Sequence, residues 1–213
     1  MGSDPNISEA IPVSSALDEE TARAEVYGLL AVLYYAPPEP QLLASLRVAV
    51  TEAPAAGGFM EEPWRQLVGI AREMTDAAIA AEYDALFGGV GKPEVYLFGS
   101  HYLSGFLNEK PLARLRTELA ALGLARGDDM PETEDHIAYL CEVMRYLIAG
   151  EDVAVANLAS QQEFFAAHLQ PWVAALCDDV AGHPKARFYA ALAGFTRAFM
   201  TVEVQGFDML DGA

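Results

Sequence analysis

The stretch MPETEDHIAYLCEVMRYLIAG, residues 130–150, decides the fold. In its second part Ile137, Leu140, Cys141, Met144, Leu147 and Ile148 recur at three- and four-residue intervals, the stripe of a helix buried on one face. Its first part is a loop of a different kind. Pro131, Glu132, Thr133, Glu134, Asp135 and His136 precede the stripe with no apolar residue among them. The spacing predicts Thr133 as the N-cap, with Glu134, Asp135 and His136 in the first helical turn. Carboxylates there are stabilised by exposed N–H groups and the helix dipole, roughly 0.3–1 kcal/mol each.

The same period extends outward in both directions. Tyr27, Leu30, Ala31 and Tyr34 form one stripe, ended by the prolines at 37–40. Leu42, Leu43 and Leu46 mark the next helix. Ile79, Tyr83, Leu86 and Phe87 mark another, closed at Gly88. After a break at GGVGKPEVYLFGS, residues 88–100, a short helix is expected to carry Tyr102 and Phe106. Pro111 opens a helix lined by Leu112, Leu115, Leu119 and Leu122 and closed by Gly123. Beyond the quoted stretch, Ser160 and Glu163 have the spacing of a capping box. That helix carries Phe165, His168, Leu169 and Trp172, with a kink or restart at Pro171. Phe188, Leu192, Phe195, Phe199 and Val202 mark a long last helix. No segment alternates as a strand does. The expected class is all-α, a globular bundle of roughly eight to ten helices. The expected organisation is one domain overall: a disordered lead-in at 1–15, a helical part at 16–127, a hinge loop at 128–135, a second helical part at 136–205 and an acidic tail at 206–213.

Composition narrows the function classes. Hydrophobic residues make up 53% of the 213, enough for a substantial core. Thirteen basic against 31 acidic residues leave a net charge of −18, which repels nucleic-acid phosphates and anionic lipids and attracts a basic partner. The first fifteen residues carry neither a basic region nor an apolar core, so no signal peptide is read there. The apolar run 26–36 is too short to span a bilayer. Cys141 and Cys177 sit in apolar helical patterns, as buried free thiols in a reducing compartment do. A cytoplasmic protein is expected.

Several chemistries fail on spacing. His101, His136, His168 and His183 form no HExxH pair, and three or four convergent metal ligands are not evident. In GGVGKP, residues 88–93, the phosphate-loop pattern would need Gly at Leu86 and Ser or Thr at Pro93. Cys141 lies on an apolar face, where burial opposes the thiolate a nucleophile needs. No cofactor is expected. Two rival readings remain: a helical metal-dependent hydrolase centred on His136, and a helical adaptor for some other basic partner.

Residues 82–148 resemble the TorD/DmsD/NarJ family of molybdoenzyme maturation chaperones. Three motifs carry the resemblance: Tyr83, Leu86 and Phe87 at a helix end; Pro93, Tyr96, Ser100 and Tyr102 in the following loop; and Pro131, Asp135 and His136 before the quoted helix. The family's loop is often shorter, reading Pro-Glu-Asp-His or Pro-Asp-His, whereas here Glu132, Thr133 and Glu134 intervene. The resemblance implies an all-helical, non-catalytic cytoplasmic chaperone. Its partner would be the twin-arginine signal peptide, or the apo form, of a molybdopterin-containing catalytic subunit held until cofactor insertion. Similarity at residues 100–116 and 140–145 extends this to formate dehydrogenase as client. It also implies a monomer or a homodimer formed by swapping helical parts across the hinge, with neither nucleic-acid binding nor stable membrane insertion. The implied client-binding residues are Tyr83, Leu86, Phe87, Pro93, Tyr96, Ser100, Tyr102, Asp129, Pro131, Glu132, Asp135 and His136. A twin-arginine peptide pairs two guanidiniums with an apolar segment. Asp128, Asp129, Glu132, Glu134 and Asp135 would meet the first, and Tyr96, Leu97, Phe98, Tyr102 and Phe106 the second.

Overall fold

Periodic apolar stripes become ten helices in a computed structural model that describes residues 13–51, 58, 60–88, 92–107, 109–127 and 130–211. They are α1 (Val13–Tyr35), α2 (Pro40–Val48), α3 (Glu61–Glu73), α4 (Asp76–Leu86), α5 (Gly99–Ser104), α6 (Lys110–Ala121), α7 (Ile137–Ala149), α8 (Leu158–His168), α9 (Val173–Ala181) and α10 (Phe188–Asp211). Among the described residues the one extended pairing is an isolated antiparallel bridge between Phe98 and His136. The fold is the expected all-α bundle.

The centre is α1 against α7. Tyr27, Leu30 and Tyr34 meet the Leu140, Cys141, Met144 and Leu147 stripe, all buried. Helix α10 packs against α9 on one side and α3 on the other. The polar side chains of Tyr34, Thr196 and Glu203 that enter this core find partners there. Tyr34 Oη lies 3.1 Å from Thr196 Oγ1, and Thr196 donates to the Leu192 carbonyl at 2.8 Å. Glu203, buried on α10, accepts from Arg23 Nε at 2.7 Å, Arg23 Nη2 at 2.8 Å and Tyr27 Oη at 2.9 Å. Such a two-pronged guanidinium–carboxylate contact fixes geometry as well as charge, and here it locks α1 to α10.

Helix ends are closed by partners distant in sequence. Glu82 on α4 is buried and receives three backbone N–H groups at the start of α10: Arg187 at 2.7 Å, Phe188 at 3.2 Å and Tyr189 at 2.8 Å. It acts as an N-cap supplied from another helix. Tyr83 donates to the last α1 carbonyls, 2.7 Å to Tyr35 and 3.2 Å to Tyr34. Arg47 donates to the Ala71 and Met74 carbonyls ending α3, while Arg72 returns the contact to Arg47 and Ala49 ending α2. Gly123, at φ 72°, ends α6, with Leu124 N–H bonded to Leu119 and Gly123 N–H to Ala120, the two bonds of a Schellman motif.

Several local expectations are corrected. The N-cap of α7 is His136, not Thr133; its Nδ1 accepts from Ala138 N–H at 3.2 Å. Glu134 and Asp135 therefore lie before the helix rather than in its first turn. The cause is the bridge to Phe98, which holds His136 extended (φ −65°, ψ 134°) and moves the helix start from the expected cap at Thr133 to His136. The Ser160–Glu163 capping box is replaced by Asn157, whose side chain accepts from Ser160 N–H at 3.0 Å, so α8 begins earlier. Helix α5 ends at Ser104 because Gly105 is left-handed at φ 80°, leaving Phe106 beyond it. Helix α3 has no counterpart in the sequence reading, and α9 is the restart expected at Pro171. Val13–Ser15 belong to α1, and α10 runs through most of the expected acidic tail, with Phe207 buried against Phe165 at 5.3 Å.

Candidate functional site

The loop before α7 is fastened to the loop before α5. Ile137 N–H donates to the Leu97 carbonyl at 2.8 Å and Gly99 N–H to the Asp135 carbonyl at 2.9 Å. These two bonds flank the Phe98–His136 bridge, a two-residue piece of antiparallel pairing. Asp135, almost fully buried, completes it. Its Oδ2 accepts from Ser100 N–H at 2.9 Å and its Oδ1 from Thr133 Oγ1 at 2.6 Å. One carboxylate thus serves the start of α5 and the shape of its own loop.

His136 is equally buried. The Phe98 ring lies edge-on at 5.0 Å, with Tyr139 at 5.7 Å and Tyr35 at 6.4 Å. Burial lowers its pKa to about 4, against which the neighbouring Asp135 charge acts. The imidazole is neutral at pH 7, as its acceptor role at Ala138 requires. Below α5 the backbone comes hard against an indole. A Cβ at Gly99 would stand 3.0 Å from Trp172 Nε1 and 3.1 Å from its Cε2. Trp172 is held by its own N–H to the His168 carbonyl at 2.5 Å, and Tyr102 stacks on it at 5.5 Å.

The structure brings most of the sequence-derived site residues to this end of the bundle, in differing roles. Tyr83 anchors α1, Leu86 is in the core, and Phe87 packs edge-on against Tyr83 and Tyr189. Ser100 and Asp135 hold each other; His136 caps α7. Pro93 is half-buried, Tyr96 stacks on His101 at 4.3 Å, and Tyr102 lies on Trp172. Pro131 is exposed and Glu132 half-buried, with the Glu132 carbonyl accepting from Arg126 at 3.1 Å. Asp128 and Asp129 lie outside the described residues. Glu134 makes a two-pronged pair with Arg116 at 2.9–3.0 Å; burial opposes its charge, but this pairing outweighs it and holds the carboxyl below the usual range. Of the expected aromatic surface, Leu97 is buried, whereas Phe106 is 70% exposed and is flanked by exposed Leu103 and Leu107.

Among the described residues no three His, Cys, Asp or Glu side chains are grouped to hold a metal ion, so a hydrolase centred on His136 has no ligand set. Among them too, no helix is long and apolar enough to cross a membrane. Burial raises the Cys177 thiol to about 12 and raises Cys141 as well, the reverse of what a nucleophile needs.

A sequence profile described as "Nitrate reductase delta subunit" matches residues 55–178, more than half of the chain and including the whole Asp135–Ser100 junction. The chain belongs to this family of TorD/NarJ-type maturation chaperones. Among its curated relatives, the "Chaperone protein TorD" of Shewanella loihica is 29% identical over 203 residues, covering 86% of this chain and 92% of the relative. The protein of the same name from Vibrio cholerae is 26% identical over 204 residues, covering 88% and 93%. As a TorD/NarJ-type protein the chain has a chaperone's role in molybdoenzyme maturation and is not a catalyst.

Two features of this TorD/NarJ-type chain were not anticipated from sequence. One is the Gly99–Trp172 contact; its only trace was a Gly immediately before Ser100. The other is a groove of about 1260 Å³ bounded by α1, α3 and α10. Val26 and Leu29, beside the α1 stripe rather than in it, were its signal.

Proposed function

We propose that this protein holds the catalytic subunit of a molybdopterin-containing oxidoreductase in the cytoplasm until its cofactor is inserted, by binding the twin-arginine signal peptide or the apo subunit. Formate dehydrogenase is the client we favour, on the sequence similarity at residues 100–116 and 140–145. The observation that carries the reading is the junction of two loops around Asp135. It fastens the loop that carries Pro131 and Glu132 to the start of α5, the helix that leads to the exposed Leu103, Phe106 and Leu107, and this supports the reading.

Within this site the residues divide by what they can touch. Asp135, His136, Ser100, Tyr83, Leu86 and Phe87 are positioning residues, because their polar atoms or rings are engaged inside the protein. Glu132, Pro131 and Asp129 would face the guanidinium groups, and Pro93, Tyr96 and Tyr102 with Phe106 the apolar segment. Exposed ion pairs contribute only about 0.2–1 kcal/mol each. Apolar burial at roughly 25 cal/mol per Å² supplies more of the affinity.

Co-purification from the native host tests this reading. Mass spectrometry of the bound material should identify a molybdoenzyme catalytic subunit still carrying its signal peptide. Recovery of only mature, cofactor-loaded enzyme, or of unrelated proteins, would count against it.

A further inference from the structure

The groove between α1, α3 and α10 lies away from the Asp135 junction. Its α1 wall runs from Glu19 to Leu29, whereas the junction touches α1 at Tyr35. At a rise of about 1.5 Å per residue, Val26 and Tyr35 are roughly 14 Å apart along the helix. The volume, about 1260 Å³, exceeds the roughly 300–1,000 Å³ of small-molecule sites. Its floor is aromatic: Trp64, Phe195, Phe199 and Phe207. Trp64 and Phe195 lie 5.3 Å apart, and Trp64 is fixed by its N–H to the Val50 carbonyl at 2.9 Å.

The edges combine apolar exposure with negative charge. Val50 and Met209 are mostly exposed, and Val202 and Leu158 partly so. A contiguous apolar surface of this kind in water marks a place where something docks, and methionine adapts to varied side chains. Glu19, Glu20 and Glu25 stand exposed along α1, and Glu61, paired with Arg65, stands at the start of α3. Among the described residues the single cation in the lining is Arg23, already committed to Glu203.

We infer that this groove is a second docking surface, taking an apolar peptide segment of the client protein flanked by basic residues. The inference rests on the proposed reading of the chain as a holder of unfolded or precursor clients. Charge complementarity selects the occupant: carboxylates on the rim repel acidic segments and nucleic acid, and favour lysine or arginine beside an apolar stretch.

The test uses the full chain and a fluorescent Leu/Ala peptide with lysines at both ends, compared with the same peptide ending in glutamates. The lysine peptide should bind and the glutamate peptide should not. Val202→Lys with Met209→Lys, both on the solvent side of α10, should weaken binding at least about ten-fold through lost apolar contact and added repulsion. Val153→Lys, exposed and outside both surfaces, should leave it unchanged. Equal binding by wild type and the α10 double variant, or loss with Val153→Lys alone, would overturn the inference. A photo-crosslinking residue at Val202 should join the peptide; joining a second copy, or its own chain despite added peptide, would overturn it too. Failure of the α10 variants to matter while the client still co-purifies would remove the groove and keep the chaperone reading. Peptide binding in the groove without any molybdoenzyme recovered from the host would do the reverse.

Discussion

Asp135 accepts a hydrogen bond from the backbone N–H of Ser100 at 2.9 Å, across 35 residues of sequence. This contact turns two separate sequence motifs into one structure. It also explains why the acid before the histidine is buried rather than offered to solvent.

Replacing Asp135 by Ala should therefore act first on stability. The variant leaves Ser100 N–H and Thr133 Oγ1 without their acceptor. Charge-assisted bonds of this kind are worth about 1.5–3 kcal/mol, so the unfolding free energy from denaturant titration should fall by about 2–3 kcal/mol. Thr133→Val should lose less, and a double variant should lose less than the two added together, because the pair shares one carboxylate.

Glu82→Gln should destabilise through α10. Its carboxylate faces three N–H groups, and the neutral amide keeps one acceptor oxygen while weakening its attraction to the helix dipole. We expect a loss of about 1–3 kcal/mol in chemical denaturation, with amide exchange at Phe188 and Tyr189 accelerating more than at α6.

The His136 imidazole gives a pH signature. Its folded pKa is about 4, below the usual value near 6.5, so the folded state disfavours the charged form. The stabilisation is complete above pH 6.5, and is lost as pH falls toward 4 because the unfolded chain takes up a proton first. The total is up to about 3 kcal/mol, at about 1.4 kcal/mol per unit. His136→Asn keeps a capping acceptor without titrating, so stability measured from pH 7 to pH 4.5 should fall less steeply. His168, lowered by burial despite Glu118, contributes in the same direction and stays in the variant. An unchanged slope would show that His136 is not buried neutral.

The hinge proposed at residues 128–135 predicts exchange between chains. Helix α7 packs on α1, α9 on α5, and α10 on α3 and α4, so interfaces between the two helical parts are extensive. A swapped dimer can reproduce each of them while only the loop changes path. Size-exclusion chromatography across concentration and pH should show a slowly exchanging dimer; a strict monomer throughout would contradict it.

Much of the bundle was legible because burial on one helix face imposes a period. The α7 stripe, the α1 stripe and the Pro111 and Gly123 boundaries all follow from local chemistry. The misreadings share another cause. Thr133 and Ser160 have good capping chemistry, yet a tertiary contact moved one helix start and a better cap, Asn157, moved the other. In the site, the aromatic and acidic residues could be gathered from the motifs. What the sequence did not disclose was that Asp135 and Glu134 are engaged internally, because a carboxylate's partner depends on packing. The α10 groove was hidden for the same reason: Phe195 and Phe199 are core residues, and that they also line a groove depends on the neighbours packing places beside them.

The central claim is that the acidic loop beside the Asp135 junction receives a client's signal peptide. Calorimetric titration of the full chain with a synthetic peptide of two arginines followed by an apolar stretch tests it most directly. The account predicts binding with modest salt sensitivity, weakened several-fold by Asp129→Lys with Glu132→Lys, since each reversal replaces an attraction of about 0.2–1 kcal/mol by a repulsion. Glu163→Lys, exposed on α8, should bind as wild type does. Equal binding by the double lysine variant, with its fold intact, would contradict the claim.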